Sequence, residues 1–250
     1  MLQALLCGKM SSQQENSEDL FTSSVFGLLR HLSSSEGLFT LLSLAESYDG
    51  RAGACVPSAC MDLTHMEFWP RYSNEVSGST EPDIMIWARD ENGEKHIFMI
   101  EVKLWSSKSS RPTTDTSILG DQLAREWWTL VSLCELDGAR AHFVYLTSDL
   151  RCPRVEIREA EEEYSAKLPA WSLRRPFACF WLSWSKVAST FENSSWPALR
   201  EISLACRKLG LDPFAGVHPF KLSSIDWAFS EGDATYKFEL SARGLDWRFE

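Results

Sequence analysis

The sequence lacks any apolar run long enough to cross a bilayer, which predicts a protein that does not span a membrane. Its first residues do not predict a secretory leader either. Residues 1–10 hold a brief apolar patch with Lys9 behind it, whereas a signal peptide places its positive charge before the apolar stretch. Both absences lead us to expect a cytoplasmic protein without a membrane partner.

Cysteine pairs at metal-binding spacing are missing as well. The seven cysteines are scattered, odd in number and never arranged as C-x-x-C. In a chain of 250 residues this pattern is typical of buried, reduced thiols rather than of a disulfide framework. The one zinc site that the spacing leaves open combines Cys55, Cys60 and His65.

A basic excess is absent too. The chain has 25 basic and 35 acidic residues, which gives a formal net charge of −10 at pH 7. Such a charge opposes avid binding to nucleic acid, because the phosphate backbone is itself negative. Most of the acidic excess lies in residues 1–100, so we expect a phosphate-binding surface to draw more on the balanced C-terminal half, residues 151–250.

Hydrophobic periodicity predicts an α/β fold with a mixed central sheet flanked by helices. The Asn92-Gly93 pair predicts that the strands on either side of it form an antiparallel hairpin. In chain order we expect a helix from Ser17, a helix over 38–45, strands over 66–71, 83–87 and 96–104, a helix over 119–134 and a strand over 142–146.

The length suits one large domain, or one domain with a substantial appendage. We expect a flexible N-terminus over 1–16, a core over 17–150 and a C-terminal part of the same domain over 151–250. This last part is predicted to be an α+β extension. It would hold helices over 153–167 and 197–209, a strand over 177–184 and short strands in the final 40 residues.

Charged residues in two of the apolar strands are the strongest functional signal. Asp83 opens one strand, and Glu101-Val102-Lys103 closes the next, where Glu101 and Lys103 project to the same face. Two carboxylates brought together by a hairpin repel each other unless a cation lies between them. We therefore predict a Mg²⁺ (or Mn²⁺) site formed by Asp83, Glu101 and the carbonyl of Val102. Lys103 would orient a water or stabilise developing negative charge.

This arrangement resembles a known signature. Pro82-Asp83 followed by Glu101-Val102-Lys103 is similar to the motif of the PD-(D/E)XK nucleases, which have a restriction-endonuclease-like fold. Glu18, at the start of an apolar helix, resembles the N-terminal acidic position of that superfamily, and Gln122 resembles the glutamine of the helix after the core strands. The resemblance implies that Asp83, Glu101, Lys103 and Gln122 are catalytic and that Glu18 is an auxiliary metal ligand.

Basic side chains near this motif are candidates for substrate binding. Lys108 and Arg111 lie in a polar loop after the catalytic strand, and Arg125 lies beside Gln122. The alternatives are a solvated loop and an exposed polar helix face that also carries Glu126. The acidic run over 159–163 is predicted to be a solvated helix face.

Two functions of different classes follow. The first is Mg²⁺-dependent phosphodiester hydrolysis of nucleic acid, with DNA favoured over RNA, in a bacterial anti-phage defence nuclease. That role agrees with a looser C-terminal resemblance to uncharacterised bacterial members, and it implies a homodimer or a partner protein of a defence system. The alternative is a catalytically silent nuclease-fold module that binds a partner protein or a nucleic-acid end, which the acidic net charge favours.

Overall fold

A mixed β-sheet runs through the centre of the protein. The computed structural model describes residues 2–9, 18–32, 36–57, 60–106, 108–113, 118–167 and 175–212. In chain order the strands are β1 (Glu46–Ser47), β2 (Met61–Phe68), β3 (Tyr72–Asn74), β4 (Gly78–Thr80), β5 (Ile84–Asp90), β6 (Lys95–Lys103), β7 (Arg140–Thr147) and β8 (Phe180–Ser183). Six of them form one sheet in the order β1–β8–β7–β6–β5–β2, while β3 and β4 pair separately. The β6–β7 and β7–β8 pairs are parallel, and the other neighbours are antiparallel.

Helices cover both faces of this sheet. In chain order they are α1 (Leu2–Leu6), α2 (Glu18–Leu29), α3 (Leu38–Ser43), α4 (Gln122–Asp137), α5 (Arg154–Lys167), α6 (Trp184–Phe191) and α7 (Pro197–Lys208). Apolar side chains of α2, α3, α6 and α7 pack on one face of the sheet, and those of α4 and α5 pack on the other. The predicted α/β architecture with a mixed, helix-flanked sheet is confirmed. Within the described ranges, no helix is both long and apolar enough to pass through a membrane.

Strand β6 contributes to both cores because its side chains alternate between the two faces. Phe98 and Ile100 belong to the core that includes α2 and α3, whereas Ile97 and Met99 belong to the core that includes α4 and α5. Glu101 follows Met99 by two residues, so its carboxylate lies on the α4 side of the sheet.

The hairpin between β5 and β6 forms as predicted. Gly93 has φ +78°, a left-handed conformation that favours glycine in a tight turn. The antiparallel register pairs Ile84 with Ile100. This register brings Asp83, just before β5, close to the end of β6 where Glu101 lies.

The N-terminus differs from the flexible segment predicted over 1–16. Residues 2–6 form α1, whose Leu2 and Leu5 are buried, since α1 packs against α7. Lys208 of α7 donates from Nζ to the carbonyl oxygens of Leu5 and Leu6. Residue 1 and residues 10–16 lie outside the described residues.

The C-terminal part contains one helix that the sequence pattern did not reveal. The predicted strand over 177–184 stops at Ser183, because the Ser183 hydroxyl accepts a hydrogen bond from the backbone N–H of Lys186 and so caps α6. The helices predicted over 153–167 and 197–209 are confirmed as α5 and α7. The short strands predicted beyond residue 212 lie outside the described residues.

Candidate active site

The predicted catalytic strand places a carboxylate and an ammonium side by side. Glu101 and Lys103 lie on the same face of β6, and Lys103 Nζ is 2.7 Å from Glu101 Oε1. Glu101 is only 2% exposed. A buried carboxylate requires a positive or hydrogen-bonding partner, and Lys103 supplies one.

Asp83 is held against the same strand from the neighbouring β5. Its Oδ2 accepts a hydrogen bond of 2.7 Å from the backbone N–H of Val102. In a β-strand, the N–H and C=O of one residue point to the same side. The Val102 carbonyl is therefore directed toward the Asp83 side of β6, as its predicted role in ion binding requires.

Helix α4 presents Gln122 and Glu126 to Glu101. Asp121 caps the helix by accepting from two backbone N–H groups, so that Gln122 becomes its first residue. Gln122 Nε2 donates to Glu101 Oε1 at 2.5 Å and to Glu126 Oε1 at 2.9 Å. Its Oε1 accepts from the backbone N–H and the hydroxyl of Ser109 at 2.7 and 3.0 Å, which fixes the orientation of the amide.

The alternative of an exposed polar helix face is therefore wrong for these two residues. Gln122 is 7% exposed and Glu126 is 2% exposed. Sequence reasoning missed Glu126 as a member of the site. The available signal was its spacing, since residues four apart on a helix share a face and Gln122 had already been assigned to the site.

Burial and mutual repulsion raise the pKa values of these acids. Desolvation, reinforced by the negative charge of Glu101, raises the pKa of Asp83 to about 8. Desolvation and the neighbouring Glu126 raise the pKa of Glu101 well above its ordinary value. Desolvation is also the main reason that the pKa of Glu126 is raised to about 7. For Lys103 burial acts in the opposite direction, but the charges of Glu101 and Asp83 outweigh it and raise its pKa.

The donor set fits a hard divalent cation. Asp83, Glu101 and Glu126 lie close together, and Glu101 Oε2 is buried and receives no hydrogen bond from a described residue other than the neighbouring acid Glu126. An ion beside Asp83 and Glu101 would relieve their repulsion and engage that oxygen. The residues that would hold it are Asp83, Glu101 and the carbonyl of Val102.

Glu18 reaches the same region but is engaged otherwise than predicted. It opens α2, and its Oε2 accepts from the backbone N–H of Leu104 at 2.5 Å and from the Ser106 hydroxyl at 3.4 Å. Its charge contributes to raising the pKa of Asp83. Glu18 Oε2 therefore anchors the chain that leaves β6, and its role as an auxiliary metal ligand stays a prediction.

A different trio has converging metal-donor atoms. Asp90, Glu94 and His96 each place one donor atom within 4.8 Å of the others, and in the described part of the chain no other three acidic, histidine or cysteine residues do so. Neither Glu18 with Asp83 and Glu101 nor the zinc alternative of Cys55, Cys60 and His65 meets this condition. The trio lies at the β5–β6 turn, away from Glu101.

The predicted substrate-binding residues differ in how far they are exposed to solvent. Lys108 is 5% exposed and points inward, where its Nζ lies 2.5 Å from Asp121 Oδ2 and 3.2 Å from Glu159 Oε2. This placement corrects the prediction that Lys108 contacts phosphates, because its charge is already paired inside the protein. Arg111 is exposed in the same loop, and Arg125 donates to the hydroxyl of Ser110 at 3.1 Å.

An open cleft adjoins the site on the side of Lys103. It has a volume of about 220 Å³ and is lined in part by Lys103, Trp105 and Thr147. The Trp105 side chain is 53% exposed, which is unusual for a large aromatic residue. Sequence reasoning did not select it, although it follows Lys103 by two residues.

Comparisons with family models, with curated proteins and with solved structures found no significant match.

Proposed function

We propose that this protein is a metal-dependent nuclease with a restriction-endonuclease-like core, which hydrolyses phosphodiester bonds in nucleic acid. The observation that carries the proposal is the grouping of Asp83, Glu101 and Lys103 at one end of the β5–β6 hairpin. One buried oxygen of Glu101 there receives no hydrogen bond from a described residue other than the neighbouring acid Glu126. Apolar surroundings make this grouping costly unless it serves a function.

The order of elements supports the same reading. A hairpin carries both acidic residues, α4 follows it and presents Gln122, and β7 returns parallel to β6. This sequence of strand, strand, helix and strand agrees with the core that the signature around Asp83 and Glu101 implies.

Each side chain has a role that its contacts suggest. Mg²⁺ or Mn²⁺, when bound, would neutralise phosphate charge and acidify a bound water. Lys103 pairs with Glu101 and lines the cleft. It would orient the attacking water or stabilise the negative charge that develops on the phosphate. Gln122 and Glu126 act as positioning residues, since they hold Glu101 in one orientation.

The net charge of the protein bears on how it engages a nucleic-acid substrate. The net charge of −10 disfavours indiscriminate attachment to a phosphate backbone, so we expect cleavage to depend on a partner or a trigger rather than on general affinity. DNA remains the favoured substrate, and a bacterial defence role remains part of the proposal. The same charge favours the alternative of a silent module that keeps the fold and binds a partner.

The proposal is tested by cleavage assays on plasmid, single-stranded DNA and RNA with the full chain, first freed of metal and then supplied with Mg²⁺ or Mn²⁺. We expect metal-dependent cleavage that Asp83→Asn and Lys103→Met each reduce by about a hundredfold or more. Lys95→Met is the matched control, because Lys95 is exposed at the other end of β6. Activity that survives in Lys103→Met would count against the assignment.

Metal-binding measurements distinguish the nuclease from the catalytically silent alternative. If no substrate is cleaved under any condition but Mg²⁺ or Mn²⁺ still binds in a manner that needs Asp83, the site is a metal centre without the proposed activity. If the wild-type chain binds neither ion at Asp83, the nuclease proposal fails.

A further inference from the structure

The turn between β5 and β6 carries a second cluster of possible ligands. Donor atoms of Asp90, Glu94 and His96 lie within 4.8 Å of one another. His96 precedes Glu101 by five residues on one strand, so the two sites are roughly 16 Å apart at about 3.3 Å per residue. The cluster is therefore separate from the candidate active site.

His96 is fixed by a second histidine on β7. Its Nδ1 lies 2.9 Å from His142 Nε2. His142 also forms a hydrogen bond with the backbone of Cys55 that favours the protonated ring, as a bond donated to a carbonyl does. A neutral imidazole has one donor and one acceptor. We therefore assign His142 Nε2 as the acceptor and His96 Nδ1–H as the donor.

This assignment leaves a lone pair on His96 Nε2. The side chain of His96 is 0% exposed, and its Nε2 has no hydrogen-bond partner within the ranges described. The nearest charged atom is Asp90 Oδ2, 3.8 Å away. A buried lone pair that faces a carboxylate is unfavourable unless a cation lies between them.

The turn itself holds Asp90 ready for such a cation. Asp90 Oδ1 accepts from the backbone N–H groups of Asn92 and Glu94 at 2.9 and 2.8 Å, so the carboxylate cannot rotate freely. Its Oδ2 is the oxygen that faces His96. Glu94 lies at the surface, where its Oε1 pairs with Arg140 Nε at 2.5 Å. Arg140 thus competes with an ion for Glu94.

We propose that Asp90, Glu94 and His96 form a binding site for a first-row divalent transition metal, with Zn²⁺ the best match. An imidazole nitrogen beside two carboxylates suits Zn²⁺ better than Mg²⁺ or Ca²⁺, which prefer oxygen donors. Metal-binding histidines usually donate their other N–H to a neighbouring group, as His96 does to His142. The ion would clamp the hairpin that presents Asp83 and Glu101 without taking part in their chemistry.

The test is a Zn²⁺ titration of the metal-stripped full chain, followed by calorimetry and by the rise in thermal unfolding temperature. Glu94→Gln removes a half-buried ligand and is expected to weaken Zn²⁺ binding at least tenfold. Glu91→Gln, in the same turn and with the same change of charge, should leave it unchanged. Arg140→Gln removes the competitor of Glu94 and should strengthen binding severalfold. His96→Gln should abolish binding, and if that buried variant does not fold, Asp90→Asn takes its place.

Two controls make the outcome specific. The absorption spectrum of bound Co²⁺ should lack the near-ultraviolet band of thiolate ligation, which excludes the cysteines as the source of binding. Asp83→Asn should bind Zn²⁺ as the wild type does, because the candidate active site is a separate one. The proposal is overturned if the wild type does not bind Zn²⁺, or if Glu94→Gln and Asp90→Asn both bind it unchanged.

Discussion

Gln122 Nε2 lies 2.5 Å from Oε1 of Glu101, so the first residue of α4 holds the central carboxylate of β6. The same amide donates to Glu126, one helical turn further along. One neutral side chain therefore bridges two buried acids, which also share a side-chain hydrogen bond with each other. Its own oxygen is held by Ser109, which prevents the amide from turning over.

Loss of this amide should destabilise the fold as well as the site. Gln122→Ala removes a hydrogen-bond donor from both Glu126 and Glu101, while Lys103 still pairs with Glu101. Because an unsatisfied buried polar group costs about 1–3 kcal/mol, we expect a loss of that order in the free energy of unfolding. Urea unfolding measures it, with exposed Glu135→Ala on the same helix as the control, expected to change stability by less than about 0.5 kcal/mol. Equal stability of the two variants would contradict the proposed role of the amide.

Local patterns were sufficient to predict the hairpin and the strand that carries the candidate site. The alternation of side chains predicted that Glu101 and Lys103 share a face, and their 2.7 Å contact agrees. The Asn92-Gly93 pair predicted the antiparallel turn, whose register brings Asp83 to the end of β6. These features depend only on residues close in sequence.

Partners distant in sequence account for what the patterns missed. Lys108 is charged and lies in a polar loop, so composition suggested exposure, but Asp121 and Glu159 meet it inside the protein. Glu163, predicted to lie on a solvated face, is 7% exposed and accepts from the backbone N–H groups of Gly120 and Asp121. A polar residue becomes buried when the fold supplies its partners, and single-sequence periodicity does not contain that information.

The two basic residues of the loop after β6 should therefore behave differently. Lys108→Ala leaves the buried Asp121 without its ion-pair partner, and we expect a loss of about 3–5 kcal/mol in the free energy of unfolding. Arg111→Ala, exposed in the same loop, should change stability by less than about 0.5 kcal/mol. If Arg111 contacts a phosphate, its removal should reduce the slope of the logarithm of the DNA-binding constant against the logarithm of salt concentration by about one. Denaturant unfolding and salt titrations of DNA binding check both expectations, and a Lys108→Ala variant as stable as Arg111→Ala would refute the buried pair.

The raised pKa of Asp83 makes the metal-free protein less stable as the pH rises. Between the ordinary pKa of 3.8 and the folded value of about 8, the folded state holds a proton that the unfolded chain releases. Stability from this group is therefore present at low pH and is lost as the pH rises toward 8. Asp83→Asn cannot titrate, so its stability relative to wild type should increase over this range, by on the order of 5 kcal/mol across the whole window.

Urea unfolding in the presence of a chelator, at several pH values in this window, measures that difference. Asp62→Asn, an exposed site on β2, is the control for the substitution itself. A stability difference between Asp83→Asn and wild type that stays constant with pH would show that Asp83 is ionised throughout. Bound Mg²⁺ or Mn²⁺ should reverse the order of stability, because it requires the ionised carboxylate.

The exposed indole of Trp105 should contribute to substrate binding if the cleft beside Lys103 receives nucleic acid. A base stacked on an aromatic side chain is worth about 1–3 kcal/mol, so Trp105→Ala should weaken binding of single-stranded DNA by roughly 5- to 150-fold. Trp196, which is 40% exposed before α7 on the opposite side of the sheet, provides the matched control as Trp196→Ala. Binding is measured by fluorescence anisotropy of a labelled oligonucleotide, with Ca²⁺ in place of Mg²⁺ to suppress cleavage. Equal affinities of the two variants would place the substrate elsewhere, whereas selective loss with Trp105→Ala would locate it in the cleft next to Lys103.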